Sequence, residues 1–153
     1  MSKMFVFYDS KYGNTKVCAE RVAEGMRSVG VDVNLGYVKD VNPQEAVSFD
    51  AFVLGAPNHM GRPSQTMSKF VSALSLLGLR GKKVAVFGTY AGKQRNVDRA
   101  VKKMLKLVEE KLPDVVLLSS LSVRVNGVSG PVVDGELPRC EAFGRQIAEE
   151  LEN

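Results

Sequence analysis

Met4-Phe-Val-Phe-Tyr8, Asp9-Ser-Lys-Tyr-Gly-Asn14 and the segment from Thr15 to Val29 decide the fold. The first is a short, continuous apolar run, as a strand buried on both faces requires. The second is polar and turn-forming. The third places Cys18, Val22, Met26 and Val29 at spacings of four, four and three, one stripe of a helix. Strand, turn and helix therefore follow one another within 26 residues. Gly30 ends the helix, and Val31-Asp-Val-Asn-Leu35 alternates like an edge strand with one face in water.

The same alternation continues along the chain. Strands are expected at Ala51-Phe-Val-Leu-Gly55, at Val84-Ala-Val-Phe-Gly88 and from Val115 to about Leu121, with an extension to Val125 open. Helices are expected at Ser64 to Leu77, Asn96 to Lys111 with Asn96 as N-cap, and Pro138 to Leu151, plus a short turn or helix at Pro43 to Val47. Right-handed crossovers then predict an α/β fold: a doubly wound, five-stranded parallel sheet of order 2-1-3-4-5 with helices on both faces. A single domain over residues 1–153 is expected, because 153 residues with 44% hydrophobic and 25% charged content suit one core.

Composition removes several classes. The apolar fraction excludes a disordered chain, and 14 Gly and 2 Cys exclude collagen-like and disulfide-stapled ones. No run of about 18 apolar residues is present, and the N-terminus lacks a signal peptide's pattern, so no membrane association and a cytoplasmic location are expected. Cys18 and Cys140 belong to no ligand-spaced cluster and read as free thiols, so no metal site is expected.

In an open α/β sheet, ligands sit beyond the carboxyl ends of the strands, near the point where strand order reverses. The loops to read are those after strands one, three and four. Ser10-Lys-Tyr-Gly-Asn-Thr15 leads into a helix whose N-terminus favours negative charge. Its Gly lets backbone N–H groups converge, and its Ser, Thr and Asn add donors. Those features suit a phosphate, although the same residue types also cap helices and build turns, and the loop alone does not separate the two readings. GxxxxGK[ST] and GxGxxG are both absent, which removes the common nucleotide loops. A phosphoryl-accepting receiver would use Asp9 but also needs an Asp after strand three, where Gly55-Ala-Pro-Asn58 stands.

Three motifs then come together. Tyr8-Asp-Ser-Lys-Tyr-Gly-Asn-Thr15, Asp50-Ala-Phe-Val-Leu-Gly-Ala-Pro57 and Gly81-Lys-Lys-Val-Ala-Val-Phe-Gly-Thr-Tyr90 resemble, in this order, the short-chain flavodoxins. They are especially similar to the flavodoxin domain of flavodiiron proteins, and the likeness covers essentially the whole chain. The resemblance implies a flavodoxin-like fold, non-covalently bound FMN and transfer of one or two electrons between redox partner proteins.

It also implies site residues. Ser10, Lys11, Tyr12, Gly13, Asn14 and Thr15 match the phosphate loop, with Tyr12 contributing its backbone N–H and Lys11 at the rim. Ala56, Pro57, Asn58, His59, Met60 and Gly61 match the loop beside the flavin's reactive edge, where Gly61 tolerates a peptide flip and His59 or Met60 takes the place of the usual aromatic. Thr89, Tyr90, Ala91, Gly92 and Lys93 match the loop that holds the pyrimidine edge, with Tyr90 a candidate for the outer flavin face. The loop Asn126 to Gly135 is expected to cover one side. No side chain is expected to perform bond chemistry. The alternatives are an NAD(P)H:quinone or FMN reductase of the same superfamily and a flavin-free scaffold.

Charge points to the partner. Lys and Arg number 21 against 17 Asp and Glu, for a net +4. From Lys93 to Lys111 there are seven basic and three acidic residues, so this stretch alone carries the excess, while Glu136 to Asn153 is acidic. An acidic docking surface on the partner is therefore expected. No nucleic-acid-binding motif is present. A monomer or weak dimer is expected.

Overall fold

The computed structural model describes residues 2–59, 62–92 and 99–152. Five parallel strands form the sheet: β1 (Lys3–Tyr8), β2 (Asp32–Tyr37), β3 (Ala51–His59), β5 (Lys83–Ala91) and β6 (Val116–Val125). A two-residue strand, β4 (Arg62–Pro63), pairs antiparallel with the end of β3. The order is β2-β1-β3-β5-β6, the predicted doubly wound arrangement once β4 is set aside. The helices are α1 (Asn14–Arg27), α2 (Gln65–Leu74), α3 (Arg99–Lys111) and α4 (Glu136–Glu152), with a 3-10 helix at Pro43–Ser48.

Period-two alternation makes two cores from one sheet. Met4, Val6, Ala51, Val53, Ala85 and Phe87 pack with α1 and α4, whereas Phe5, Phe7, Phe52, Leu54, Val84 and Val86 pack with α2 and α3. Each central strand feeds both faces. That is why these strands read as unbroken apolar runs. Cys18 and Cys140 are buried free thiols in the α1–α4 core. A hydrogen bond to Cys140, together with burial, pushes the Cys18 thiol far up.

Boundaries moved where local chemistry dictated. Ser64 lies outside α2 as its N-cap, its hydroxyl accepting from the Met67 N–H, so the helix starts at Gln65. β3 runs past Gly55 because Ala56 and Pro57 continue its pairing with β5 and β4 then folds back on it, pairing Asn58 with Pro63 and His59 with Arg62. α4 begins at Glu136, ahead of Pro138, since a proline is tolerated in the first turn, where its missing N–H has no partner to lose. The expected N-cap Asn96 lies outside the described residues.

Edge strand β6 is tied to α4 through Glu150. The Ser119 N–H donates to its carboxylate at 2.9 Å, the Ser119 hydroxyl donates as well, and Gln146 Nε2 donates at 3.0 Å. Burial alone would raise this carboxyl, but the hydrogen bonds outweigh it and hold it below the usual glutamate value of 4.5. A depressed carboxylate contributes stability above its unfolded value and loses it as pH falls through the folded one. Glu150→Gln is therefore expected to lower the urea midpoint at pH 7, with the gap to wild type closing below about pH 4.5.

Candidate functional site

The loop before α1 gathers hydrogen-bond donors at a helix N-terminus. Gly13 adopts φ +89° as the N-cap, a left-handed conformation suited to glycine, and provides no side-chain cap. Ser10 Oγ takes the Gly13 N–H at 3.1 Å and, more weakly, the Lys16 N–H at 3.4 Å. Its lone pairs are thus used and its own proton remains to be donated. The N–H groups of Asn14 and Thr15 have no partner among the described residues, and the first turn of α1 holds no acid. Open helix N-terminal donors of this kind attract negative charge.

A second pair of hydroxyls lies deeper. Thr15 Oγ1 and Thr89 Oγ1 are 2.9 Å apart and buried. Two hydroxyls bring two protons and spend one on their mutual bond, so one is left for a ligand. Asn58 supplies the opposite polarity. Its Nδ2 donates to the carbonyls of Ala56 (3.3 Å) and Thr89 (3.4 Å), which fixes the amide's orientation. Oδ1 is left buried with no hydrogen-bond partner among the described residues. An orphaned acceptor of this kind costs free energy unless something donates to it.

These groups surround one cavity of about 250 Å³ at the carboxyl ends of the strands. Ser10, Lys11, Tyr12, Asn14 and Thr15 line it from the first loop, Pro57 and Asn58 from the second, and Thr89, Tyr90 and Ala91 from the third. Gly13 shapes the first loop through its φ. Ala56 is not on the wall: it is 1% exposed and packs in the α2–α3 core, because the strand alternation turns it that way. Gly92 is exposed, its carbonyl accepting from Arg124 Nε at 3.0 Å. Met60, Gly61 and Lys93 lie outside the described residues, as does the side chain of His59.

The two aromatics that line the cavity differ in exposure. Tyr90 is 6% exposed, and its charged neighbours are Glu136, Arg124 and Arg139 at the β6–α4 side. Burial, followed by Glu136, raises its phenol. The aromatic at the rim is Tyr12, 50% exposed, with Lys11 Nζ 5.4 Å from its ring centroid. Val125 and Val128 complete the wall and were not singled out in the sequence. Val128, an apolar residue within the Gly-rich loop, was the available signal. That same loop bears on Asn14, since a Cβ on Gly130 would lie 2.3 Å from Asn14 Oδ1.

The family model described as "Flavodoxin" matches residues 6–136. A flavodoxin from Aquifex aeolicus is 31% identical, over 97% of this chain and 86% of that protein. The chain belongs to the flavodoxin family. As a flavodoxin, it has FMN as its family's cofactor. It is also similar to an NAD(P)H dehydrogenase (quinone) from Caulobacter vibrioides, 30% identical over 60% of this chain and 55% of that one. The flavodiiron core of Flv1 from Synechocystis shares the fold at a TM-score of 0.77 and 18% identity, covering 99% of this chain and 36% of that chain.

FMN is a dianionic phosphate, a polyhydroxyl chain and a flat ring carrying both acceptors and N–H donors. The flavodoxin cavity offers free hydroxyl protons and open N–H groups at the α1 end, an orphaned acceptor at Asn58, and apolar surface from Val125 and Val128. The donor set fits the cofactor in sign and in variety. Among the described residues, no helix is long and apolar enough to cross a membrane.

Proposed function

We propose that this flavodoxin is an electron carrier, folded as one domain over residues 1–153, that holds FMN without a covalent bond and passes electrons between redox proteins in the cytoplasm. The observation that carries the reading is the Ser10–Thr15 cradle, whose spare protons and N–H groups converge at a helix N-terminus without an acid in its first turn. Ser10, Gly13, Asn14 and Thr15 hold the phosphate, with Lys11 at the rim. Thr89 assists through its hydroxyl, hydrogen-bonded to that of Thr15, and Asn58 Oδ1 accepts from an N–H or O–H of the cofactor. Tyr90, Ala91, Val125 and Val128 exclude water from the ring. When bound, FMN supplies the one- and two-electron chemistry, and the residues around it bind, orient and desolvate it. The partner proteins present an acidic face to the basic α3 region.

A second reading is supported by the 30% identity to an NAD(P)H dehydrogenase (quinone). One set of assays separates them. The FMN-loaded protein is titrated anaerobically with dithionite and then mixed with NADH or NADPH and a quinone. The carrier reading expects electron uptake from dithionite and negligible pyridine-nucleotide oxidation. Rapid quinone-dependent oxidation of NADH or NADPH supports the enzyme instead.

A further inference from the structure

We propose that the groove between β4, the start of α2 and α3 is the docking surface for the acidic face of a redox partner protein, an inference that rests on the electron-carrier reading. The groove holds about 660 Å³ and is walled by Arg62, Ser64, Ser68, Lys103 and Lys106, with Glu110 the only acid among the described lining residues. Lys102, Lys103 and Lys106 are exposed. The ion pairs among the described residues, Arg21–Glu141 and Arg139–Glu136, lie elsewhere and leave these cations unneutralised. The first turn of α2 contributes no acid.

Placement ties the groove to the cofactor cavity. Pro57 and Asn58 line that cavity, while Pro63 and Ser64 line the groove. The two pairs are joined directly: Asn58 is in register with Pro63, and the Ser64 N–H donates to the Pro57 carbonyl at 3.1 Å. A partner seated in the groove is therefore linked to the cavity wall through the β3–β4 pair.

The charge distribution orients such a partner. α3 carries Arg99, Lys102, Lys103, Lys106 and Lys111 against Glu109 and Glu110. α4, on the opposite face of the sheet, carries Glu136, Glu141, Glu149, Glu150 and Glu152 against Arg139 and Arg145. The molecule is a charge dipole across its sheet, so an acidic surface is drawn to the groove and repelled from α4.

The test uses stopped-flow mixing of the FMN-loaded protein, reduced with dithionite and freed of excess reductant. The oxidised probes are rubredoxin, a small acidic iron protein, and cytochrome c, a basic haem protein. In each case one electron leaves the reduced flavin and converts Fe(III) to Fe(II), any flavin proton passing to solvent. Lys103→Gln/Lys106→Gln is expected to slow rubredoxin reduction about tenfold at low salt, with the gap closing at high salt and no slowing toward cytochrome c. Lys39→Gln/Arg145→Gln, which removes the same charge from exposed sites outside the groove, is expected to stay within about twofold of wild type.

Equal slowing by both double variants, or none by Lys103→Gln/Lys106→Gln, overturns the docking site. So does retention of duplex DNA by the wild type that Lys103→Gln/Lys106→Gln abolishes, which assigns the groove to nucleic acid. Flavin absorbance before mixing shows whether the wild type holds FMN. Its absence there overturns the carrier reading itself, and the docking site with it.

Discussion

Gly144→Val is expected to force α1 and α4 apart and to cost about 3 kcal/mol or more of stability. A Cβ at Gly144 would sit 2.1 Å from the Val22 carbonyl oxygen and 3.0 Å from the Met26 backbone nitrogen. The partner helix answers in kind, since a Cβ at Gly25 would sit 2.1 Å from the Glu141 carbonyl oxygen. Neither obstacle is the end of a flexible side chain, so relief requires one helix to move as a body. That movement would open the core around Cys18, Cys140 and Phe143, all of which are almost fully buried. Urea unfolding measures the effect: a midpoint well below wild type is expected for Gly144→Val, and a similar one for Gly25→Val. A glycine within a helix normally costs about 0.5–1 kcal/mol relative to alanine. At both of these positions close approach of the two backbones outweighs that cost, so Gly144→Ala is also expected to destabilise.

The second large effect concerns the cradle. A hydrogen bond to a charged group is worth about 1.5–3 kcal/mol, which is roughly a tenfold to hundredfold change in affinity. Ser10→Ala removes the hydroxyl that accepts from the Gly13 and Lys16 N–H groups and so has its own proton left to donate. Thr15→Val removes the hydroxyl that is hydrogen-bonded to Thr89 Oγ1 and preserves the side chain's shape. Each substitution is expected to weaken FMN binding at least tenfold, and the pair at least a hundredfold, as read by quenching of flavin fluorescence. Wild-type affinity should also fall as pH drops through about 6, where the phosphate loses its second charge. Ser10→Ala/Thr15→Val binding FMN as tightly as wild type would remove the phosphate from this loop.

How much of this was legible in the sequence depends on the range of the interaction involved. Strand order and helix placement follow from local periodicity and crossover handedness, so Met4–Tyr8 and the stripe Cys18, Val22, Met26 sufficed to begin the sheet. The donor geometry of the Ser10–Thr15 loop was legible because its residues are contiguous and their donors converge through local turn geometry. The second and third loops were only partly so. Ala56 reads as part of the Gly55–Pro57 motif, yet strand alternation carries it into the α2–α3 core. Tyr90 continues β5 and is buried beside Glu136, a residue brought to it by β6 and α4, whereas Tyr12 takes the rim. Gly25 and Gly144 carried no signal at all. Their reason for being glycine lies in a contact between two helices at opposite ends of the chain.

The orphaned Asn58 Oδ1 shows the same limit from the side of chemistry. The sequence places Asn58 in the second cofactor loop but does not say what its amide does there. Only the folded chain reveals that its amide nitrogen is held by the Ala56 and Thr89 carbonyls and that its oxygen is buried without a donor among the described residues. The contact to β5 that orients this amide is one that no local pattern encodes.

Titrating the wild-type apoprotein with FMN and, in parallel, with riboflavin tests the central claim most directly. The two ligands differ only in the phosphate. One FMN is expected to bind per chain with submicromolar affinity, at least a hundredfold more tightly than riboflavin, which is the contribution of a charged group met by several donors at a helix N-terminus. Equal affinity for the two flavins, or no binding of either at micromolar concentration, would contradict it.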